Sequence, residues 1–129
     1  MLRLAFGSAL VVVLILSLWP TAEPLPLNTG WDKTDHVAAF VALGLLGLPA
    51  WPQLRARVLP GLVAYGGLIE LLQGLTVYRQ ADWGDLLADA VGVALAAMLF
   101  AAWRRWRRGA SRRGESARGR RTRRQCGAS

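Results

Sequence analysis

Three short clusters hold most of the residues of this 129-residue sequence that could do chemistry. Asp32, Lys33 and His36 form the first, Glu70 and Gln73 the second, and Asp82, Asp85 and Asp89 the third, with Arg79 between the last two. A histidine near carboxylates is an acid–base constellation, in which His36, Glu70 and Asp85 are the candidate catalytic groups. Lys33 and Arg79 are the cations available for an anionic ligand. Asp32, Gln73 and Asp89 complete the candidate binding residues. The surroundings make these groups conspicuous, because Glu70 and Gln73 interrupt the apolar run "GLIELLQGL" at 67–75. An unpartnered Asp or Lys at the centre of a membrane helix costs about 2.5 to 3.5 kcal/mol even on the milder insertion scale. Such groups persist where they partner one another or serve a ligand.

Helical spacing groups them further. Asp32 and His36 are four residues apart and share a face that continues through Phe40 and Gly44. Glu70 and Gln73 are three apart, with Gly66 a turn behind. Asp82, Asp85 and Asp89 follow i, i+3, i+7, and Gly92 and Ala96 extend that face. Asp32 and Asp82 also suit helix N-cap positions. With Gln80 as the midpoint of a hairpin, Glu70 and Asp89 fall at the same depth and Gln73 meets Asp85 or Leu86. Lys33, His36 and Arg79 are then the cations to offset the carboxylates, with Lys33 and Arg79 the partners expected for Glu70. Gly66, Gly67, Gly74 and Gly92 are read as sites of close helix packing.

Four apolar segments must position these groups, at about 4–19, 34–51, 58–78 and 83–103. Each approaches the ~20 residues that cross ~30 Å of hydrocarbon, and none alternates like a barrel strand. The fold expected is all-α, a four-transmembrane-helix bundle over 1–108. The first segment resembles a signal peptide, but "SLWPTAEPLP" has no small-x-small cleavage site, so an uncleaved helix is expected.

Charge sets the orientation. Arg3, Arg55 with Arg57, and Arg104 to Arg108 lie at alternate segment ends, so the positive-inside rule places both termini in the cytoplasm. The outer side then holds seven acids against Lys33 and Arg79, while the inner side holds fourteen arginines against Glu115. All three polar clusters fall on the outer side. Trp103 and Trp106 among arginines read as an interfacial belt. Residues 109–129, arginine-rich and without apolar periodicity, read as a disordered cytoplasmic tail. Its position after a cytoplasmic helix end suits anionic lipid better than nucleic acid. Cys126 is the single cysteine and has no zinc-ligand spacing around it.

In order, "DKTDHVAAFVALG", "GLIELLQ", Arg79 and "DWGDLLADAVG" resemble the VanZ-like family of small integral membrane proteins. That family's pattern places Asp-Lys-x-x-His-x-x-x-Phe on Asp32, Lys33, His36 and Phe40, and Glu-x-x-Gln on Glu70 and Gln73. Its Arg falls on Arg79, and its Asp-x-x-x-Asn-x-x-Gly on Asp85, Asp89 and Gly92, with Asp89 in place of the usual Asn. The resemblance covers residues 32 to 92. The family takes its name from a member linked to resistance against the glycopeptide teicoplanin, which implies a role at the bacterial cell envelope, in the cytoplasmic membrane.

Three function classes follow. One is an enzyme or binder acting from the outer side on an envelope lipid or lipid-linked precursor. There Glu70 and His36 form the acid–base pair, and Arg79 and Lys33 hold phosphate. The second is a proton-coupled transporter, although the inner halves of the four segments carry no polar path. In the third, the polar groups only staple the bundle. Glu70, Asp89 and His36 are ligand types that could hold a metal, but there is no HExxH, cysteine set or nucleotide-binding glycine loop, so no metal or cofactor is expected.

Overall fold

The computed structural model describes residues 1–19, 32–76 and 82–126, and for residues 32 and 110–126 the backbone alone. The order is α1 (Leu2–Leu18), α2 (Asp32–Ala50), α3 (Arg55–Gly74) and α4 (Trp83–Cys126). There is no strand among the described residues, so the all-α expectation holds. The chain divides into two compact units, Met1–Met98 and Leu99–Ser129.

In the first unit, α1 turns Phe6, Ala9, Leu10, Val13 and Leu14 toward a core of Phe40, Leu43, Leu62, Ile69 and Val93. That i, i+3, i+4, i+7, i+8 spacing is one helix face. The opposite face of α1 exposes Leu4, Val11, Val12, Ile15 and Leu16, and no residue of this helix is fully buried.

Two arginines close the far end of α2. Arg3 Nε donates to the Ala50 carbonyl at 3.3 Å and Arg55 Nε to the Leu48 carbonyl at 3.1 Å. These are carbonyls of the last turn, which have no acceptor role inside the helix and carry its negative dipole end. The Arg3 guanidinium also lies 5.3 Å from the centre of the Trp51 ring, against which Phe6 packs edge-on. At the other end of the unit, Gln73 Nε2 donates to the Ser17 carbonyl at 2.9 Å and joins α3 to the end of α1. The C-terminal ends of α1 and α3 therefore share one end of the unit with the N-terminal ends of α2 and α4.

Taken by itself, the second unit stacks cations on rings one turn apart. Arg104 lies 6.0 Å from the Phe100 ring centre and Arg107 5.2 Å from that of Trp103.

Two expectations change. The fourth helix does not end near Trp103, and no disordered tail begins at 109: the backbone is helical to Cys126. Arg, Ala and Gln are good helix formers, no proline intervenes, and Gly109, Gly114 and Gly119 each cost about 1 kcal/mol without ending a helix. Among the described residues, one stretch is long and apolar enough to cross a membrane, the 27-residue Trp83–Gly109, whose most apolar 18 residues have a mean hydropathy of 2.0. Leu2–Leu18 is apolar but shorter. In α2 and α3 the charged residues at the helix ends, Lys33 and Asp35, then Arg55, Arg57 and Glu70, lower the mean over a full window.

Candidate functional site

The polar end of the first unit is built around Asp82, the residue before α4. Its Oδ1 accepts the Gly84 N–H at 2.7 Å and its carbonyl accepts the Asp85 N–H, so it caps the helix. Its Oδ2 meets Lys33 Nζ at 2.6 Å, and its own backbone N–H donates to Glu70 Oε2 at 2.8 Å. One residue thus ties together the starts of α2 and α4 and the end of α3.

Lys33 bridges to a second carboxylate, with Nζ 3.0 Å from Asp85 Oδ1. Its side chain is 55 % exposed and that of Asp85 only 9 %, so the ammonium forms the solvent edge of a buried acid. Side-chain hydrogen bonds to Asp82 and then Asp85 hold the Lys33 amine above the ordinary lysine range. Lys33, and then the Gly84 N–H, hold the Asp82 carboxyl below the ordinary carboxylate range. A depressed carboxyl stabilises the fold above its ordinary pKa and loses that contribution as pH falls through the lowered value. A raised amine stabilises below its ordinary pKa and loses the contribution as pH rises through the raised value. Between those limits the bridge is charged on both sides.

Deeper in, His36 Nδ1 lies 2.8 Å from Asp89 Oδ1, and Nε2 lies 3.9 Å from Asp85 Oδ2. His36, Glu70, Gln73, Asp85 and Asp89 are all buried, Asp89 completely. One donor atom from each of His36, Glu70 and Asp85 falls within 4.8 Å of the others. Glu70 Oε1 and Asp89 Oδ2 have no hydrogen-bond partner among the described residues.

Glycines set how closely the helices approach. A Cβ at Gly92 of α4 would lie 2.6 Å from the Val37 carbonyl oxygen and 2.9 Å from Phe40 Cβ of α2. A Cβ at Gly66 of α3 would collide with Asp89 Oδ2. Gly67, by contrast, has open space where a side chain would go, which corrects its reading as a packing glycine.

Of the candidate residues, Lys33, His36, Glu70, Asp85 and Asp89 come together here. Gln73 lies at the same end, with its amide turned to α1. Arg79 lies outside the described residues, and for Asp32 only its place as the first residue of α2 is described.

Two pairings differ from expectation. Lys33 serves Asp82 and Asp85, while Glu70 is held by a backbone N–H. The depth match is also shifted: Glu70 lies level with Asp85, and Asp89 packs on Gly66. Both pairs centre between residues 77 and 78, not at Gln80, because α3 already ends at Gly74. The role of Asp82 as a node was only half visible in sequence. Its place before "WGDLL" signals the cap, but the bond to Glu70 uses its main chain, for which no residue type is a signal.

A model of the VanZ/LLP1 family matches residues 6–104, more than three-quarters of the chain. The chain belongs to the VanZ/LLP1 family. Comparison with curated proteins and with solved structures gave no match. The span matched to VanZ/LLP1 takes in every candidate position from Asp32 to Asp89. Asp89, at the position where the resemblance implies Asn, keeps an oxygen 2.8 Å from His36 Nδ1.

Proposed function

We propose that this VanZ/LLP1 chain is a four-span protein of the bacterial cytoplasmic membrane whose outward-facing pocket binds or acts on an envelope lipid or lipid-linked precursor. The observation that carries this reading is the burial of His36, Glu70, Asp85 and Asp89 together at one helix end, edged by the exposed Lys33. Apolar side chains turned outward on α1 and on Leu71, Leu87 and Val91 of the other helices suit a lipid surround. Arg3 and Arg55 mark the opposite end, as the positive-inside rule requires of a cytoplasmic face. The arginines of segment 109–129 suit anionic lipid headgroups.

In the pocket, Glu70 and His36 act as acid and base. Lys33 spends two of its three ammonium protons on Asp82 and Asp85, and the third, with Arg79, meets a phosphate oxygen. Membership of the VanZ/LLP1 family, and the link of the family's name to teicoplanin resistance, support a ligand among envelope precursors. The proton-coupled transporter is the weaker reading. The core beneath the pocket, Phe40, Leu43, Leu62, Ile69 and Val93, offers no polar relay among the described residues.

Two measurements test this. Reporter fusions after Arg57 and Arg108 should read cytoplasmic, and fusions after Leu27 or within 77–81 extracytoplasmic. A cytoplasmic signal from 77–81 would turn the pocket inward and end the outer-face argument. Native mass spectrometry of detergent-extracted protein should retain a phosphate-bearing lipid, and Lys33→Met should lower its occupancy several-fold. Equal retention by both proteins would remove Lys33 from the ligand.

A further inference from the structure

We propose that Asp89 is the positioning residue of His36: its carboxylate accepts the Nδ1 proton and so fixes both the orientation and the tautomer of the ring. The proposal concerns Nδ1 alone and holds whatever meets Nε2. It rests on the reading of His36 as an acid–base group, and it gives Asp89 a task other than ligand binding.

Burial takes Asp89 out of the ligand set. It is 0 % exposed, so a molecule entering the pocket does not touch it as the helices stand, despite its place among the candidate binding residues. What its carboxylate does meet is His36, with Oδ1 2.8 Å from Nδ1, a hydrogen-bond distance. Its Oδ2 has no hydrogen-bond partner among the described residues. A buried carboxylate without compensation is costly, and a ring nitrogen that carries a proton supplies that compensation.

Two arrangements fit the 2.8 Å contact. Either the ring donates to a carboxylate, or a protonated carboxyl donates to the ring. In reference peptides an imidazole is more basic than an Asp carboxyl by about 2.6 units, so a proton between the two sits on the nitrogen. The other charges around the ring act in the same sense. Asp85 Oδ2 lies 3.9 Å from Nε2, and a Glu70 oxygen lies within 4.8 Å of a ring nitrogen. The opposing ammonium, Lys33, is bonded to Asp82 and Asp85. Surroundings of that sign favour the proton on the ring.

The helices hold the pair in register. Asp89 is on α4 and His36 on α2, so their contact depends on how closely α4 sits against its neighbours. One turn along α4, Gly92 lets the chain approach the Val37 carbonyl and Phe40 Cβ of α2. On α3, Gly66 leaves the space that Asp89 Oδ2 fills. A short side chain packed in this way keeps little freedom. A neutral ring protonated at Nδ1 can only accept at its other nitrogen. Asp89 thereby sets His36 as the base of the acid–base pair, as a buried acid orients the imidazole of a catalytic triad.

His36 is the single histidine of the chain, so its ring nitrogens can be read without assignment. The test uses the full chain in detergent, ¹⁵N-labelled at histidine and purified through a tag without histidines. Long-range ¹H–¹⁵N spectra tell the nitrogens apart, because Nε2 couples strongly to both carbon-bound ring protons and Nδ1 to one. In the unsubstituted protein Nδ1 should read as protonated at every pH at which the chain is folded. Asp89→Val removes both oxygens, and Nδ1 should then lose its proton in most molecules once the ring is neutral. Asp85→Asn should leave Nδ1 protonated. An unprotonated Nδ1 in the unsubstituted chain overturns the proposal, and that result needs no variant to fold. So does an unchanged tautomer in Asp89→Val, or a changed one in Asp85→Asn. Function is scored separately, by whether each variant restores an envelope phenotype lost on deletion of the gene. If Asp89→Val moves the proton and still restores the phenotype, His36 is not the base, and the acid–base reading fails while the proton assignment stands.

Discussion

A Glu70→Gln protein should accumulate to the normal level and yet fail to restore any envelope phenotype lost on deletion of the gene. The swap preserves shape, and a Gln Oε1 can still accept the Asp82 N–H that now goes to Glu70 Oε2 at 2.8 Å. Its amide takes the place of Oε1, which has no hydrogen-bond partner among the described residues, so no described bond is broken. What disappears is the charge and the titratable proton. General acid–base groups contribute about 10²–10⁴-fold to rate, and a loss of that size reads as a null phenotype. A stapling role predicts the reverse. Removing one of several clustered buried carboxyls relieves repulsion with Asp85, so the variant would be neutral or more stable. A normal phenotype at equal protein level would eliminate acid–base work by Glu70.

The elements and the membership of the site were legible in sequence because they depend on periodicity and residue type. Apolar runs broken by Trp51-Pro52 and by Arg79-Gln80 delimit helices, and i, i+3, i+4, i+7 spacing put Asp85 and Asp89 on one face and His36 opposite. The pairing was not legible, because it depends on how far one helix slides along another. The hairpin midpoint chosen from loop length was off by about two residues, enough to exchange Asp85 for Asp89 as the neighbour of Glu70. The main-chain donor from Asp82 leaves no mark in residue type. The helical continuation to Cys126 was missed for another reason. Composition alone weighs like-charge repulsion over the intrinsic helix preference of Arg and Ala.

Alanine at Gly92 and alanine at Gly67 should shift stability in opposite directions. Both are helix-interior glycines, so each substitution gains up to about 1 kcal/mol of helix propensity. At Gly67 nothing lies within 4 Å of the added methyl, and that gain stands. At Gly92 the methyl would lie 2.6 Å from the Val37 carbonyl oxygen and 2.9 Å from Phe40 Cβ. A backbone carbonyl cannot rotate away as a side chain can, so α4 must back off α2, an overpacking cost of about 1 to 3 kcal/mol. Unfolding of detergent-solubilised protein by heat or by added denaturing detergent measures both. The displacement also has a functional reading, because Val37 follows His36 and Gly92 is one turn past Asp89. Separating the backbones there lengthens the 2.8 Å contact from His36 to Asp89, and Gly92→Ala should reduce activity as well as stability. Parallel shifts for the two variants, with activity kept in both, would mean that close approach at Gly92 does not hold the histidine in place.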